Sequence, residues 1–339
     1  MITEILTPDI AVTWLPWAVS YFFFIGLSLT AVFLTLPAIL FGQKQLLGMA
    51  HVAMLVVLTC AIVGPVALLA DLHQPARFWH FYTHLTPWSW MSIGAVALPI
   101  YVVSTIIYSW VFLVADLLAE PKQGSLWLKP VAVITLILAL IIAIYTGSEV
   151  AILSSRVLWN SHVLPFFFFV TALLGASSLS LLIAYLIREN NTTLVALSRI
   201  SRWVALLSLA VVGIWFGLAS LINGSEASAL TQLQHSPYWQ YNLLLLLALL
   251  MLTVVFSQGA SKWSLLSALS GLAVSWFARW LVFMDGQTIP KYGAGFYSYE
   301  LPLGTDGLLG ILGMLGLWLF LAVALYELFP WSNKTESHN

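Results

Sequence analysis

The ten residues Asp71-Leu-His-Gln-Pro-Ala-Arg-Phe-Trp-His80 put a carboxylate, two imidazoles and a guanidinium at the end of an apolar run. Such a set can exchange protons and hold a polar headgroup by hydrogen bonds. Pro75 blocks simple continuation of a helix. A charged group near a bilayer costs a few kcal/mol unless it is paired, which makes the segment a functional candidate. The plainer alternative is an interfacial loop in which Asp71 caps a helix and Arg77 snorkels to headgroups. A second set is Tyr145-Thr-Gly-Ser-Glu149, followed by Arg156 and Trp159. A glutamate at an apolar boundary is desolvated and suited to take up and release protons near neutral pH. Its plainer alternative is a helix end with Glu149 paired to Arg156.

Three further features carry polar or aromatic chemistry. Arg279 lies inside an apolar stretch, with Asp285 and Gln287 just beyond. An arginine there snorkels outward or pairs with an acid such as Asp285 or Asp71. The segment from Pro290 to Asp306 is rich in Gly, Pro and aromatics, and can cover a site or dock a partner. Trp14, Trp17 and Tyr21 open the first apolar stretch, where an interfacial aromatic belt is the simplest account. A transmembrane haem needs two facing histidines. His51 and His162 fall at opposite membrane edges, so no haem is expected.

These residues must be held by membrane helices. Of 339 residues, 61% are hydrophobic and 7% are charged, against about 25% charged in a soluble domain. A net charge of −1 leaves no basic field for nucleic acid. The one cysteine, Cys60, can form neither an internal disulfide nor an iron–sulfur cluster. A hydrocarbon core needs about 20 apolar residues per helix. Nine stretches qualify: 14–40, 49–70, 92–118, 128–146, 161–187, 203–222, 238–257, 265–284 and 307–329. The fold expected is one all-α transmembrane domain, with the first eight helices as two four-helix bundles. Residues 1–13 carry Glu4 and Asp9 but no Lys or Arg, so the first stretch reads as a retained span and not a signal peptide.

Alternate loops divide the twelve Lys and Arg unevenly. One side holds Lys44, Lys122, Lys129, Arg188, Arg199, Arg202, Lys262 and Lys334; the other holds Arg77, Arg156 and Lys291. The positive-inside rule makes the first side cytoplasmic, with the N-terminus outside and the C-terminus inside. The outer side then carries Asp71, His73, His80, His84, Glu149, Asp285, Glu300 and Asp306, which marks it as the working face.

Asp71-Leu-His-Gln-Pro-Ala-Arg-Phe-Trp79 is similar to the DLGRPxRFW element of the NrfD/polysulfide reductase membrane subunit family. Tyr145-Thr-Gly147 resembles its YTG element, and Phe22-Phe-Phe-Ile-Gly26 its FxxxG pattern. Within that family the chain looks like the membrane subunits of tetrathionate reductases. The elements that carry this are Trp79-His-Phe-Tyr82, Thr86-Pro-Trp-Ser-Trp90, Gln287-Thr-x-Pro-Lys291 and Leu301-Pro-x-Gly-Thr-Asp-Gly307. The resemblance implies an anchor in the bacterial cytoplasmic membrane for a periplasmic molybdopterin subunit and a ferredoxin-like iron–sulfur subunit. It implies oxidation of menaquinol or ubiquinol, with electrons passed to the iron–sulfur partner and no metal in this chain. Asp71, His73 and Glu149 would handle protons, Tyr21 and Tyr145 would line the headgroup, and Arg77 and Arg279 would be charge partners. Polysulfide-branch relatives carry Asn and His where this chain has Ala18 and Tyr21, which shifts weight from Tyr21 toward Asp71, His73 and Glu149. The competing expectations are a secondary transporter and an anchor without a quinone site.

Overall fold

The computed structural model describes residues 12–72, 74–117, 124–156, 158–218, 237–289 and 299–328. Among these residues, nine helices are long and apolar enough to cross a membrane. They are α1 (Pro16–Ile39), α2 (Leu47–Asp71), α3 (Trp90–Leu117), α4 (Gly124–Ala151) and α5 (Leu164–Leu186). There follow α6 (Asn191–Leu218), α7 (Pro237–Phe256), α8 (from Ser264) and α9 (Leu308–Leu328). The chain is a multi-pass membrane protein, and the count of nine spans agrees with the sequence. Lipid offers no hydrogen bonds, so each apolar run satisfies its own backbone as a helix. Pro16 starts α1 and Pro165 lies in the first turn of α5, where a missing N–H costs nothing.

In a bilayer, helices associate through close packing and buried polar contacts. α1 lies along α2, with Gly64 against the backbone of Ile25. α1 also packs on α4 and α5, and α3 packs on α4 and α2. α5 packs on α6 and α8, α7 on α8 and α6, and α9 against α2. Hydroxyls tie the apolar faces together. Ser28 meets Tyr101 at 2.8 Å, Thr35 meets Tyr108 at 2.7 Å, and Ser104 meets Thr135 at 2.7 Å. Small residues bring α5 and α8 close: Gly175 faces Ser275, and Gly271 faces Ser178.

α8 changes its winding at one end. It is α-helical through Trp280, then makes a π turn over Leu281–Asp285 and a last α turn at Gly286–Thr288. A π turn displaces carbonyls from the regular ladder. The indole Nε1 of Trp159 donates to the Val282 carbonyl at 2.7 Å. Arg156 closes the helix end, donating to the carbonyls of Gln287 (3.2 Å) and Ile289 (3.3 Å). A cation there also complements the negative end of the helix dipole. The connections at this end of the bundle, after α2, α4 and α8, carry the candidate residues.

Candidate functional site

Tyr145 and Glu149 are four residues apart on α4, so their side chains share one face. Tyr21 of α1 meets them there. The Tyr145 hydroxyl neighbours both the Tyr21 hydroxyl and the Glu149 carboxyl. Tyr21 is 1% exposed, and its hydroxyl makes no hydrogen bond of good geometry. A buried donor without a partner costs about 1–3 kcal/mol. Such a group needs an explanation, and a bound ligand that satisfies it is one. The two hydroxyls and the carboxyl lie together between α1 and α4.

What seats Tyr145 is a glycine on the neighbouring helix. A Cβ on Gly94, in the first turns of α3, would overlap the far end of the Tyr145 ring. The ring would have to swing away, taking its hydroxyl from Tyr21 and Glu149. Gly94→Ala is therefore expected to impair the site while costing only about 1–3 kcal/mol of overpacking. Activity assays set beside a thermal melt check this; unchanged activity would show that the seat is irrelevant.

A cavity of about 580 Å³ lies at the start of α3. Its floor is Met91 and Ser92 of α3; its walls are Leu72, Arg77, Phe78, His80, Phe81, His84 and Ser89. Pockets for small ligands span about 300–1,000 Å³. A 3-10 turn at Pro75–Arg77 and a single helical turn at His80–Thr83 build the wall. The His80 and His84 rings lie 6.0 Å apart, and His84 Nδ1 is 2.9 Å from the Thr83 hydroxyl. Arg77, a candidate from the sequence, lines this cavity, as does His80 at the close of the same ten-residue segment. His73 lies outside the described residues, as do residues 290–298 of the glycine- and aromatic-rich segment.

Asp71 ends α2, and one of its oxygens accepts the Leu15 N–H at 3.3 Å. A carboxylate at the start of α1 also suits the positive end of that helix's dipole. The capping role weighed from the sequence is thus present, across helices. Gln287 holds the preceding residues. Its Oε1 accepts from the N–H groups of Thr13 and Trp14, both at 3.0 Å, and its Nε2 donates to the Trp14 carbonyl at 2.9 Å. Trp14 is half-buried and packs on other aromatic rings. Its ring stacks on Phe283 at 5.2 Å and Phe22 at 6.0 Å, and tilts against Trp159 at 5.5 Å.

Arg279 is placed differently from expectation. It is 1% exposed and reaches neither Asp285 nor Asp71 by its hydrogen bonds. Its guanidinium donates to the Thr171 hydroxyl (2.8 Å), the Ser275 carbonyl (2.9 Å), the Phe168 carbonyl (2.9 Å) and the Phe22 carbonyl (3.4 Å). Asp285 instead accepts from the Asn242 amide at 2.7 Å. Arg279 therefore joins α1, α5 and α8 below the tyrosine cluster. It borders a narrow crevice that also touches Thr146, the residue after Tyr145. Sequence reasoning assigns no role to Gly94, Gln287 or His84. For Gln287 a signal exists, since a polar amide at the end of an apolar span has bonding groups that must be satisfied.

Residues 8–291 match the family described as "Polysulphide reductase, NrfD". The chain belongs to that family. This NrfD-family chain is 34% identical over 333 residues to the C subunit of tetrathionate reductase from Salmonella typhimurium (strain LT2), covering 96% of this chain and 95% of the relative. It is 22% identical over 383 residues to the C subunit of selenate reductase from Mesobacillus selenatarsenatis, covering 96% and 87%. Protein NrfD of Escherichia coli (strain K12) is 29% identical over 197 residues, covering 52% of this chain and 60% of that one. The NrfD match spans Tyr21, Gly94, Tyr145, Glu149 and Gln287 together.

Proposed function

We propose that this chain is the quinol-oxidising membrane anchor of a molybdopterin oxidoreductase that reduces tetrathionate. The observation that carries this reading is the buried, unpartnered Tyr21 hydroxyl beside Tyr145 and Glu149. A quinol headgroup has two hydroxyls that need partners and two protons that need acceptors. Tyr21 and Tyr145 would bind one hydroxyl, and Glu149 would take its proton. Asp71 would receive the second proton at the end of α2. Arg77, His80 and His84 would line the entrance through the open cavity. His73 is assigned to the same proton-handling set because it follows Asp71 by two residues in the sequence. Arg279, bonded to neutral acceptors of Phe22, Phe168, Thr171 and Ser275, would fix α1, α5 and α8 against one another beside the headgroup.

Oxidation of one quinol releases two electrons and two protons. The lone buried Cys60 cannot hold a cluster, so the electrons pass to an iron–sulfur subunit docked at this end of the bundle. The relatives that support this are named as C subunits of reductases. The charge split among loops supports placing this end in the periplasm of a bacterial cytoplasmic membrane, with the C-terminus inside. The packing supports reading the chain as one transmembrane domain in which α1–α4 and α5–α8 form two bundles. Menaquinol and ubiquinol both present the two hydroxyls that this reading needs.

The test uses the assembled complex with two electron donors. A reduced viologen feeds the catalytic subunit directly, whereas a short-chain quinol must pass through this chain. Tyr145→Phe keeps the ring on Gly94 and removes its hydroxyl. Quinol-driven reduction is expected to fall about tenfold, the loss of one hydrogen bond of about 1.4 kcal/mol, with viologen-driven reduction unchanged. Equal quinol-driven rates in wild type and variant would instead favour an anchor with no quinol site.

A further inference from the structure

Gln287 is not one of the cluster of Tyr21, Tyr145 and Glu149, yet its hydrogen bonds lead to Asp71. Its side chain grips the backbone of residues 13 and 14 from both sides, accepting two N–H groups and donating to one carbonyl. A second Nε2 bond, to the Phe283 carbonyl at 2.9 Å, fixes the amide on α8. A primary amide is the one neutral side-chain group with both donors and acceptor in this fork. The next residue, Leu15, gives its N–H to Asp71. Residues 13–15 therefore form a strap between the end of α8 and the end of α2. The strap has little freedom. Trp14 is clamped by Phe22, Phe283 and Trp159, and the π turn that presents Gln287 is pinned by Trp159 and by the Asn242–Asp285 bond.

We propose that Gln287 is a positioning residue for Asp71, acting through the Trp14–Leu15 strap. The inference rests on the role given to Asp71 in quinol oxidation. With Gln287 in place, the Leu15 N–H is held opposite one Asp71 oxygen, at 3.3 Å, and helps to orient the carboxylate. Without the amide, the strap loses three hydrogen bonds, and the Leu15 N–H is held opposite Asp71 less firmly, by the Trp14 ring contacts alone.

A thermodynamic cycle in the assembled complex tests it, with Gln287→Leu, Asp71→Asn and the double variant assayed on quinol and on reduced viologen. Gln287→Leu is expected to lower the quinol-driven kcat about fivefold, as coupled neighbours do, with KM for quinol and the viologen-driven rate unchanged. In the Asp71→Asn background the same change should alter kcat by less than about twofold, since its target is gone. Effects that multiply would overturn the proposal and leave Gln287 a structural residue only. A silent Gln287→Leu beside a defective Asp71→Asn would overturn it while leaving the quinol reading intact. A normal Asp71→Asn would remove Asp71 from the quinol reading and the proposal with it. Gln287→Glu keeps both acceptor bonds and loses the donors. Put through the same cycle, it decides the matter if the leucine variant does not assemble, and a smaller coupled loss is expected.

Discussion

Glu149→Gln is expected to lower quinol-driven reduction about a hundredfold or more, the scale of a lost general base. Glutamine has nearly the shape of glutamate and can keep a hydrogen bond to Tyr145, so packing between α1 and α4 is preserved. What it cannot do is accept a proton. The loss should therefore appear in kcat for quinol, with complex yield and viologen-driven reduction as in wild type. Binding of the oxidised quinone should be retained, because the hydroxyls of Tyr21 and Tyr145 remain. If the variant turns over quinol at the wild-type rate, the proton leaves by another route, and Asp71 becomes the first group to examine. If viologen-driven activity falls in parallel, the substitution has damaged assembly and not proton transfer.

Arg279 gives the second large effect, and here the sign has to be argued. A charge inside a span costs about 2.5–3.5 kcal/mol on insertion scales. Polar bonds between membrane helices return about 0.6 kcal/mol each on average and up to about 1.7. With four neutral partners and no carboxylate among its hydrogen bonds, the guanidinium roughly breaks even. Its carbonyl acceptors belong to helices, which satisfy them internally. Arg279→Met should therefore change stability by only about 1 kcal/mol, as when buried ions are replaced by apolar groups of similar volume. Arg279→Lys should be worse, by about 3 kcal/mol. It keeps a cation to be buried but lacks the planar fork that reaches α1, α5 and α8 together. Apparent melting temperatures of the detergent-solubilised variants give the order. A methionine variant less stable than the lysine variant would mean the guanidinium is net stabilising.

The parts of this molecule that are legible in the sequence are those set by the solvent or by short spacing. Nine apolar runs have to be helices because lipid satisfies no backbone group. Tyr145 and Glu149 can be paired from spacing alone because four residues make about one helical turn. Arg279 stands out by type, but its destination is hidden. Three of its acceptors are carbonyls of Phe22, Phe168 and Ser275, groups that every residue carries and that no pattern marks. Gly94 is hidden for a related reason: a glycine in a span has many uses, and only the ring resting on it reveals this one. The π turn in α8 leaves no trace in hydropathy, since it shifts carbonyls without changing composition. Frequency alone assigns the tryptophans to the membrane interface, whereas Trp14 packs among Phe22, Trp159 and Phe283.

The strap also imposes an order on biosynthesis. Thr13 and Gln287 are 274 positions apart. At about 5–20 residues per second, the ribosome delivers the second partner roughly 14–55 s after the first. Through that interval α1 to α7 can insert, and contacts such as those of α1 with α2 and α3 with α4 can form, while the packing of α5 and α7 on α8 waits for α8. The backbone groups of Thr13 and Trp14 that bond the Gln287 amide must wait for α8. The end of the bundle that carries the site is therefore sealed late, by a residue in the eighth of nine spans.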